Sequence, residues 1–219
     1  MGDPVLLLVG GIALLGISYF QRWRRKSRRR AVEALAGELD FTFSTVDSYG
    51  LDELPFSLFR QGGVGKARLV ISGTHNGLPL QIFDYEHRIQ GHSNDSELYT
   101  CAVLTIAAGF PWLQLVHESA VTRLADQLAH SDVDLEYDDF NRRFVVNCAD
   151  RTFAFCMLDG RMMEWLLGTG DFGRLEIIGP WVLLANAPVE PRRWKELGEW
   201  LDEFRSHIPP VVYSSYPPR

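Results

Sequence analysis

The apolar run PVLLLVGGIALLGISYF, at 4–20, restricts what the rest of this chain can fold into. It carries no charge, and as a helix it would span about 26 Å at 1.5 Å per residue. A membrane-spanning helix needs roughly 20 residues, with a lower limit near 17. The run therefore predicts one N-terminal transmembrane helix that ends among the interfacial aromatic residues Tyr19, Phe20 and Trp23.

A basic segment, SYFQRWRRKSRRR at 18–30, follows directly and contains seven Lys and Arg residues and no acid. Because the first 30 residues carry +6 and the whole chain -6, residues 31–219 carry -12. Phosphates repel an acidic domain, and the adjacent apolar run accounts for the bases, so we expect contact with anionic lipid head groups and none with nucleic acid. The predicted membrane-interface residues are Tyr19, Arg22, Trp23, Arg24, Arg25, Lys26, Arg28, Arg29 and Arg30.

The order of charges predicts the orientation. Asp3 precedes the apolar run, the bases follow it, and no small-residue cleavage site separates them, which favours an uncleaved anchor over a secretory signal. Positive charge stays on the cytoplasmic side. We therefore expect a single-pass protein of the cell (inner) membrane, with its N-terminus out and its C-terminal domain in the cytoplasm. The odd count of cysteines (Cys101, Cys148 and Cys156), each in apolar surroundings, predicts buried reduced thiols and agrees with this compartment.

The rest of the chain predicts an α+β domain. Asn76-Gly77 between two apolar runs is a strong hairpin signal. LYTCAVLTIAA and WLQLVHE are predicted as a third and a fourth strand, separated by a turn at 109–111. RLEIIGPWVLLANA is predicted as a final hairpin that turns at 179–180. Together these segments favour a mostly antiparallel sheet with helices packed on one side.

Helix signals lie between and after these strands. Ser119 is a candidate N-cap for a helix over 119–130, and Asp150 and Asp159 cap two short helices. A terminal helix begins near Pro191. The predicted organisation is a transmembrane anchor (1–23), a basic juxtamembrane helix (24–40), a cytoplasmic α+β domain (41–208) and a mobile or extended Pro-rich tail (209–219).

No segment carries a complete catalytic signature. GGVGKA at 62–67 resembles a phosphate-binding loop, but Arg60 stands where a Gly is needed and Ala67 where Ser or Thr binds magnesium. We interpret it as a flexible loop. The serines lack a nucleophile-elbow setting. We therefore predict no catalytic, cofactor-binding or metal-ligating residue and no cofactor, and we leave open whether the chain is an enzyme.

One alternative stays open for small-ligand or metal binding. Imidazole and carboxylate groups recur around EHRIQGH, predicted as a polar turn over 85–92, and DVDLEYDD at 132–139 is a run of acids. A solvated loop and a solvated face are the simpler interpretations. If the two segments converge on one pocket, a membrane-tethered enzyme or ligand-binding domain follows. Its candidate residues are Asp84, Tyr85, His87 and His92.

Three motifs resemble those of a family of uncharacterised bacterial membrane-anchored proteins. They are LPFSLF (54–59), FDY (83–85) and DVDLEYDDFNRRF (132–144), the last followed by MEWLL. The likeness covers roughly 54–208 and implies a soluble domain tethered by an N-terminal hydrophobic segment, without an established activity. The loop GHSNDSELYTCAV departs from the family pattern, which often has a Gly-Lys segment and a Thr-Val strand there.

The function we expect is that of a binding or scaffolding module, held at the membrane by a single span and directed at an unknown protein partner. Homo-oligomerisation through the span or the terminal helix remains open. Gly10, Gly11 and Gly16 allow close helix packing, although they do not form a G-x-x-x-G motif.

Overall fold

The computed structural model of the chain describes residues 4–60, 63–89, 96–117, 135 and 137–218. The helices are α1 (Pro4–Glu38), α2 (Asp138–Asn141), α3 (Arg151–Met157), α4 (Gly160–Gly168), α5 (Trp194–His207) and α6 (Pro210–Ser215). The strands are β1 (Thr42–Val46), β2 (Gly63–His75), β3 (Leu78–Ile89), β4 (Ser96–His117), β5 (Phe144–Cys148) and β6 (Arg174–Asn186). The predicted α+β class is confirmed. The predicted helix over 119–130 lies outside the described residues.

Helix α1 runs without a break from Pro4 to Glu38. The predicted juxtamembrane helix is therefore a direct continuation of the N-terminal apolar segment, in a stretch rich in good helix formers and free of internal proline. Within the described residues, no helix combines the length and the apolar character needed to cross a membrane. The transmembrane anchor stays a prediction.

The described strands form one six-stranded sheet in the order β1-β2-β3-β4-β5, with β6 paired to β4. Every pairing is antiparallel, as predicted. Strand β4 is central to the sheet. Its first half lies between β3 and β6, and its second half lies between β5 and β6.

Two predicted turns are irregularities inside long strands. Residues 96–117 form the single strand β4, whose register against β6 shifts on both sides of Phe110. Opposite Phe110 lies Gly179, with a left-handed φ of 57°. Strand β6 bends sharply at Gly179, which brings its two ends together. The amide of Gly173, just before β6, donates to Oδ1 of Asn186, the last residue of β6, at 2.8 Å. The predicted separate third and fourth strands and the final hairpin are therefore wrong, because both halves of β6 pair with β4 and not with each other.

The Asn76-Gly77 hairpin is confirmed. Both residues have positive φ, 47° and 82°, as a type I′ turn requires, and His75 pairs with Leu78. The glycine-rich stretch predicted as a flexible loop belongs to β2 from Gly63 onward. Gly65 is needed there, because a Cβ on it would lie 1.7 Å from the hydroxyl of Tyr85.

The two faces of the sheet are covered differently. Since side chains alternate along a strand, Ile82 and Leu104 point to one face and Phe83 and Val103 to the other. The first face packs against the helices, so the prediction of helices on one side is confirmed. The second face is covered by the segment 47–60, which places three buried apolar side chains against it: Leu51, Phe56 and Leu58.

The predicted caps at Asp150 and Asp159 are confirmed, whereas the interpretation of the tail is wrong. The carboxylate of Asp150 accepts from the amides of Thr152 and Phe153, and that of Asp159 caps α4. The Pro-rich tail contains helix α6, with a proline in its first turn. It packs back on the domain, since the Tyr216 hydroxyl donates to Asp150 Oδ2 at 3.0 Å.

We expect Gly173→Ala to destabilise the domain by about 2 kcal/mol, because overpacking a tight site typically costs 1–3 kcal/mol. A Cβ on Gly173 would lie 2.5 Å from the carbonyl oxygen of Ala185, and backbone cannot move aside cheaply. Gly168→Ala is the control, because a Cβ there meets nothing within 4 Å. Urea unfolding measures both variants. Equal stability of the two would contradict the close approach of the ends of β6.

Candidate functional site

The C-terminal half of α1 docks on the sheet through a short apolar stripe. Val32, Leu35 and Ala36 are buried against the first face, with relative exposures of 0%, 7% and 2%. Their spacing places them on one side of the helix, as an amphipathic helix on a sheet requires. One turn before this stripe, Arg28 continues the same side toward the N-terminus.

Arg28 binds a buried carboxylate in the middle of the sheet. Its Nε donates to Asp84 Oδ2 at 2.6 Å, and its Nη2 donates to Asp84 Oδ1 at 2.7 Å. The same Nη2 also donates to the carbonyl oxygen of Val189 at 2.9 Å and to Thr100 Oγ1 at 3.3 Å. We call Arg28, Asp84, Thr100 and Val189 the Arg28 clamp. It joins α1 to β3, β4 and the segment after β6.

The rest of the clamp holds Asp84 in place. Thr100 lies directly opposite Asp84 in the β3–β4 ladder, and its hydroxyl donates to Oδ1 at 3.2 Å. The amide of Val189 in turn donates to this hydroxyl at 2.9 Å. The guanidinium carbon of Arg28 lies 5.7 Å from the ring centre of Trp194. Hydrogen bonding to Asp84 raises the pKa of Arg28, so the guanidinium keeps its charge at physiological pH.

The other predicted membrane-interface residues lie on exposed parts of α1. Tyr19 is 74% exposed, Phe20 55% and Trp23 57%. These residues precede the docked part of the helix, where α1 extends beyond the sheet. The basic side chains around them are exposed as well: Arg22, Arg24, Arg25, Lys26, Arg29 and Arg30. Arg28 is the exception, since its guanidinium faces the sheet.

The predicted ligand residues do not form one site in the described part of the chain. Asp84 points to the first face, whereas Tyr85 and His87 point to the second, with ring centres 6.5 Å apart. The predicted turn is wrong as far as residue 89, because β3 extends to Ile89. His92 lies outside the described residues. Among those described, no three His, Cys, Asp or Glu side chains are grouped as metal ligands would be.

The acidic run at 132–139 is described only at its C-terminal end. Tyr137 is exposed, and α2 begins with Asp138 and Asp139 in its first turn, where carboxylates are favourable. Asp139 forms an ion pair with Arg142 on the surface. This part of the run is therefore a solvated helix start, and convergence of the whole run with the β3 residues stays a prediction.

The second face of the sheet contains a buried polar network that the sequence signals only in part. Glu176 is fully buried and accepts from the Ser57 hydroxyl at 3.0 Å and from Trp112 Nε1 at 2.8 Å. Gln114 donates to the same Ser57 hydroxyl at 2.9 Å. The network ties the segment 47–60 to the bent β4–β6 ribbon. Its sequence signal is RLEII, in which charged residues alternate with apolar ones inside a strand.

Within the described part of the chain, three buried polar side chains have atoms without a hydrogen-bond partner. They are the Tyr85 hydroxyl, both ring nitrogens of His87, and Nε and Nη1 of Arg174. Arg174 is only 4% exposed, and burial lowers its pKa, although Glu176 opposes this effect. A buried polar atom without a partner is costly, because folding removes it from water without a compensating hydrogen bond.

The cysteines are free thiols. Cys101 and Cys148 are buried, as predicted, and Cys156 is half-buried. Burial raises the pKa of Cys101 and of Cys148 and thereby disfavours the nucleophilic thiolate. These two thiols therefore belong to the packed interior.

Comparison with known proteins identifies the fold. No protein-family model matches the chain, and no curated protein matches it. Among solved structures, the chain is similar to the crystal structure of the mycobacterial trehalose monomycolate transport factor A, with a TM-score of 0.59 and 16% sequence identity. The likeness covers 84% of this chain and 97% of that one. At this identity it establishes a shared fold.

We expect Arg28→Met to destabilise the folded domain by roughly 2–4 kcal/mol, because removing one partner of a buried pair leaves the other charge unpaired. The lower part of that range takes into account that the Arg28 side chain is 23% exposed. Arg29→Met is the matched control on the exposed side of the same helix. Denaturant unfolding should show a larger loss of stability for Arg28→Met than for Arg29→Met. Equal losses of stability would contradict the Arg28 clamp.

We expect Tyr85→Phe to weaken the alkaline destabilisation of the domain. Burial raises the pKa of Tyr85 from 10 to about 12, so folding favours the neutral phenol. The stability that this provides is complete below pH 10 and is lost as the pH rises toward 12. The free energy of unfolding should therefore fall less steeply in this window for the variant than for the parent. Equal slopes for the variant and the parent would contradict the burial of this phenol.

Proposed function

We propose that this chain is a membrane-anchored accessory factor of lipid transport, whose domain binds or scaffolds a protein partner. One observation carries the proposal. The Arg28 clamp joins the helix that contains the predicted anchor to the centre of the sheet. A domain attached in this way follows the helix as one rigid body, whereas a flexible linker would leave it free to tumble.

The exposed part of α1 supports the membrane attachment. Tyr19, Phe20 and Trp23 form an aromatic group that the domain leaves uncovered, next to exposed basic side chains. Aromatic and basic residues in this order are typical of the interface at the cytoplasmic end of a membrane helix. The acidic remainder of the chain would then lie on the cytoplasmic side, held close to the lipid surface by the clamp.

The shared fold supports the link to lipid transport. The neighbouring structure belongs to a protein named as a transport factor for trehalose monomycolate, a glycolipid, and nearly all of that structure is matched. We carry over to this chain only the coarse role, an accessory part in moving a lipid. The proposal does not specify which lipid is moved or which protein is the partner.

Cells that lack the chain are expected to deliver newly made lipid to the outer surface more slowly than cells that have it. The full chain should restore delivery. A Leu8→Arg/Leu14→Arg variant should not, because charge inside the apolar run opposes membrane insertion. Val211→Arg is the control for added charge, since Val211 is 54% exposed. Pulse labelling of lipid, followed by extraction of the cell surface, measures delivery.

Fractionation tests the anchor in the same strains. The full chain should stay in the membrane pellet at alkaline pH, and the double arginine variant should be released. A reporter fused after Arg219 should be active only on the cytoplasmic side. Release of the full chain, an outward reporter, or normal lipid delivery without the chain would each overturn the proposal.

A further inference from the structure

A groove lies where α1 passes the segment that leads into α5. It has a volume of about 320 Å³, at the lower end of the range of roughly 300–1,000 Å³ for small-molecule sites. The helix contributes one wall, and the turn at Glu190 and Pro191 contributes the other. The groove borders the Arg28 clamp, because Arg28 is among its lining residues. The side chains on which the argument depends are Trp23, Arg24, Arg25, Ser27 and Glu190.

The charges in this groove are of both signs. Arg28 is occupied by Asp84. Arg24 and Arg25 form no ion pair in the described part of the chain, although Arg24 lies 5.8 Å from the ring of Phe20. Glu190 is exposed and forms no ion pair there either, and it acts on Arg28 only through its charge. Two guanidinium groups and one carboxylate, all outside the described ion pairs, thus line the same groove.

We propose that this groove binds the head group of a phospholipid that carries both a phosphate and a primary ammonium, as phosphatidylethanolamine does. Arg24 and Arg25 bind the phosphate, for which guanidinium donors are well suited. Glu190 binds the ammonium. The Ser27 hydroxyl supplies a further donor to the phosphate oxygens.

The surroundings indicate a lipid and not a free phosphate compound. Trp23, a lining residue, is 57% exposed, and its ring stacks on that of Phe20 with centres 6.1 Å apart. This aromatic surface continues from the groove toward the N-terminal part of α1. It offers an apolar contact to the glycerol backbone and the first acyl carbons. The inference rests on the proposed function in one respect, since the predicted anchor places the groove at the bilayer surface.

Lipid binding to the full chain in detergent tests the inference, read by native mass spectrometry. The probes are phosphatidylethanolamine, phosphatidylglycerol and phosphatidylcholine with identical acyl chains, together with soluble glycerophosphoethanolamine. We expect a preference for phosphatidylethanolamine over both other lipids. The soluble head group should bind far more weakly than the lipid.

Variants that remove equal charge distinguish lipid binding in the groove from unspecific attraction of lipid to the basic segment. Arg24→Gln/Arg25→Gln should weaken phosphatidylethanolamine binding about tenfold or more, given the contribution of basic residues near a lipid surface. Arg29→Gln/Arg30→Gln removes the same charge from residues that do not line the groove and should change binding less than twofold. Glu190→Gln should reduce the preference for phosphatidylethanolamine over phosphatidylglycerol about threefold, as expected for one exposed ion pair. Circular dichroism confirms that each variant is folded.

Three results would overturn the inference. Equal losses of phosphatidylethanolamine binding in the two double variants would mean that the lipid is attracted to the basic segment as a whole. If Glu190→Gln keeps the preference for phosphatidylethanolamine over phosphatidylglycerol, Glu190 does not bind the ammonium. Equal binding of lipid and soluble head group would mean an anion site without lipid specificity. Each of these results would refute head-group binding in the groove. The proposed function would still hold if the chain stays in the membrane pellet and sustains lipid delivery.

Discussion

The ion pair between Arg28 and Asp84 is the interaction on which the arrangement of this molecule depends. A carboxylate that is 5% exposed in the middle of a six-stranded sheet needs a cation and further donors to remain charged. Arg28 supplies both through two short hydrogen bonds. The cation comes from a helix 56 residues away in sequence, so satisfying Asp84 also fixes the rotation of α1 about its own axis.

The curvature of the sheet follows from a second constraint, the paired irregularities at Phe110 and Gly179. They bend both strands of the β4–β6 ribbon at one level, which brings Gly173 against Asn186. The segment 47–60 lies against this ribbon and contacts the buried carboxylate of Glu176 through Ser57. Glu176 accepts from Ser57 and Trp112, whereas Nε and Nη1 of Arg174 have no acceptor among the described residues.

What could be predicted from the sequence is what short-range chemistry determines. Asn76-Gly77 and the cap at Asp150 were correct, because each depends on a few neighbouring residues. The turns expected at 109–111 and 179–180 were wrong, because glycine and proline mark a bulge as readily as a hairpin turn. Arg28 could not be singled out among seven bases, since its partner is distant in sequence. The burial of Arg174 could not be predicted either, because charged residues in a strand are usually exposed.

A buried ion pair is a weak source of stability, since the loss of hydration offsets much of the attraction. The ion pair between Arg28 and Asp84 is better explained by the defined position that it gives α1 on the sheet. An apolar stripe such as Val32, Leu35 and Ala36 allows a helix to slide or rotate on a sheet at little cost. A two-pronged contact to Asp84 allows one position only. A tether would not need this, whereas a domain that must present a fixed face to a membrane or a partner would. The clamp therefore favours orientation over simple attachment as the task of α1.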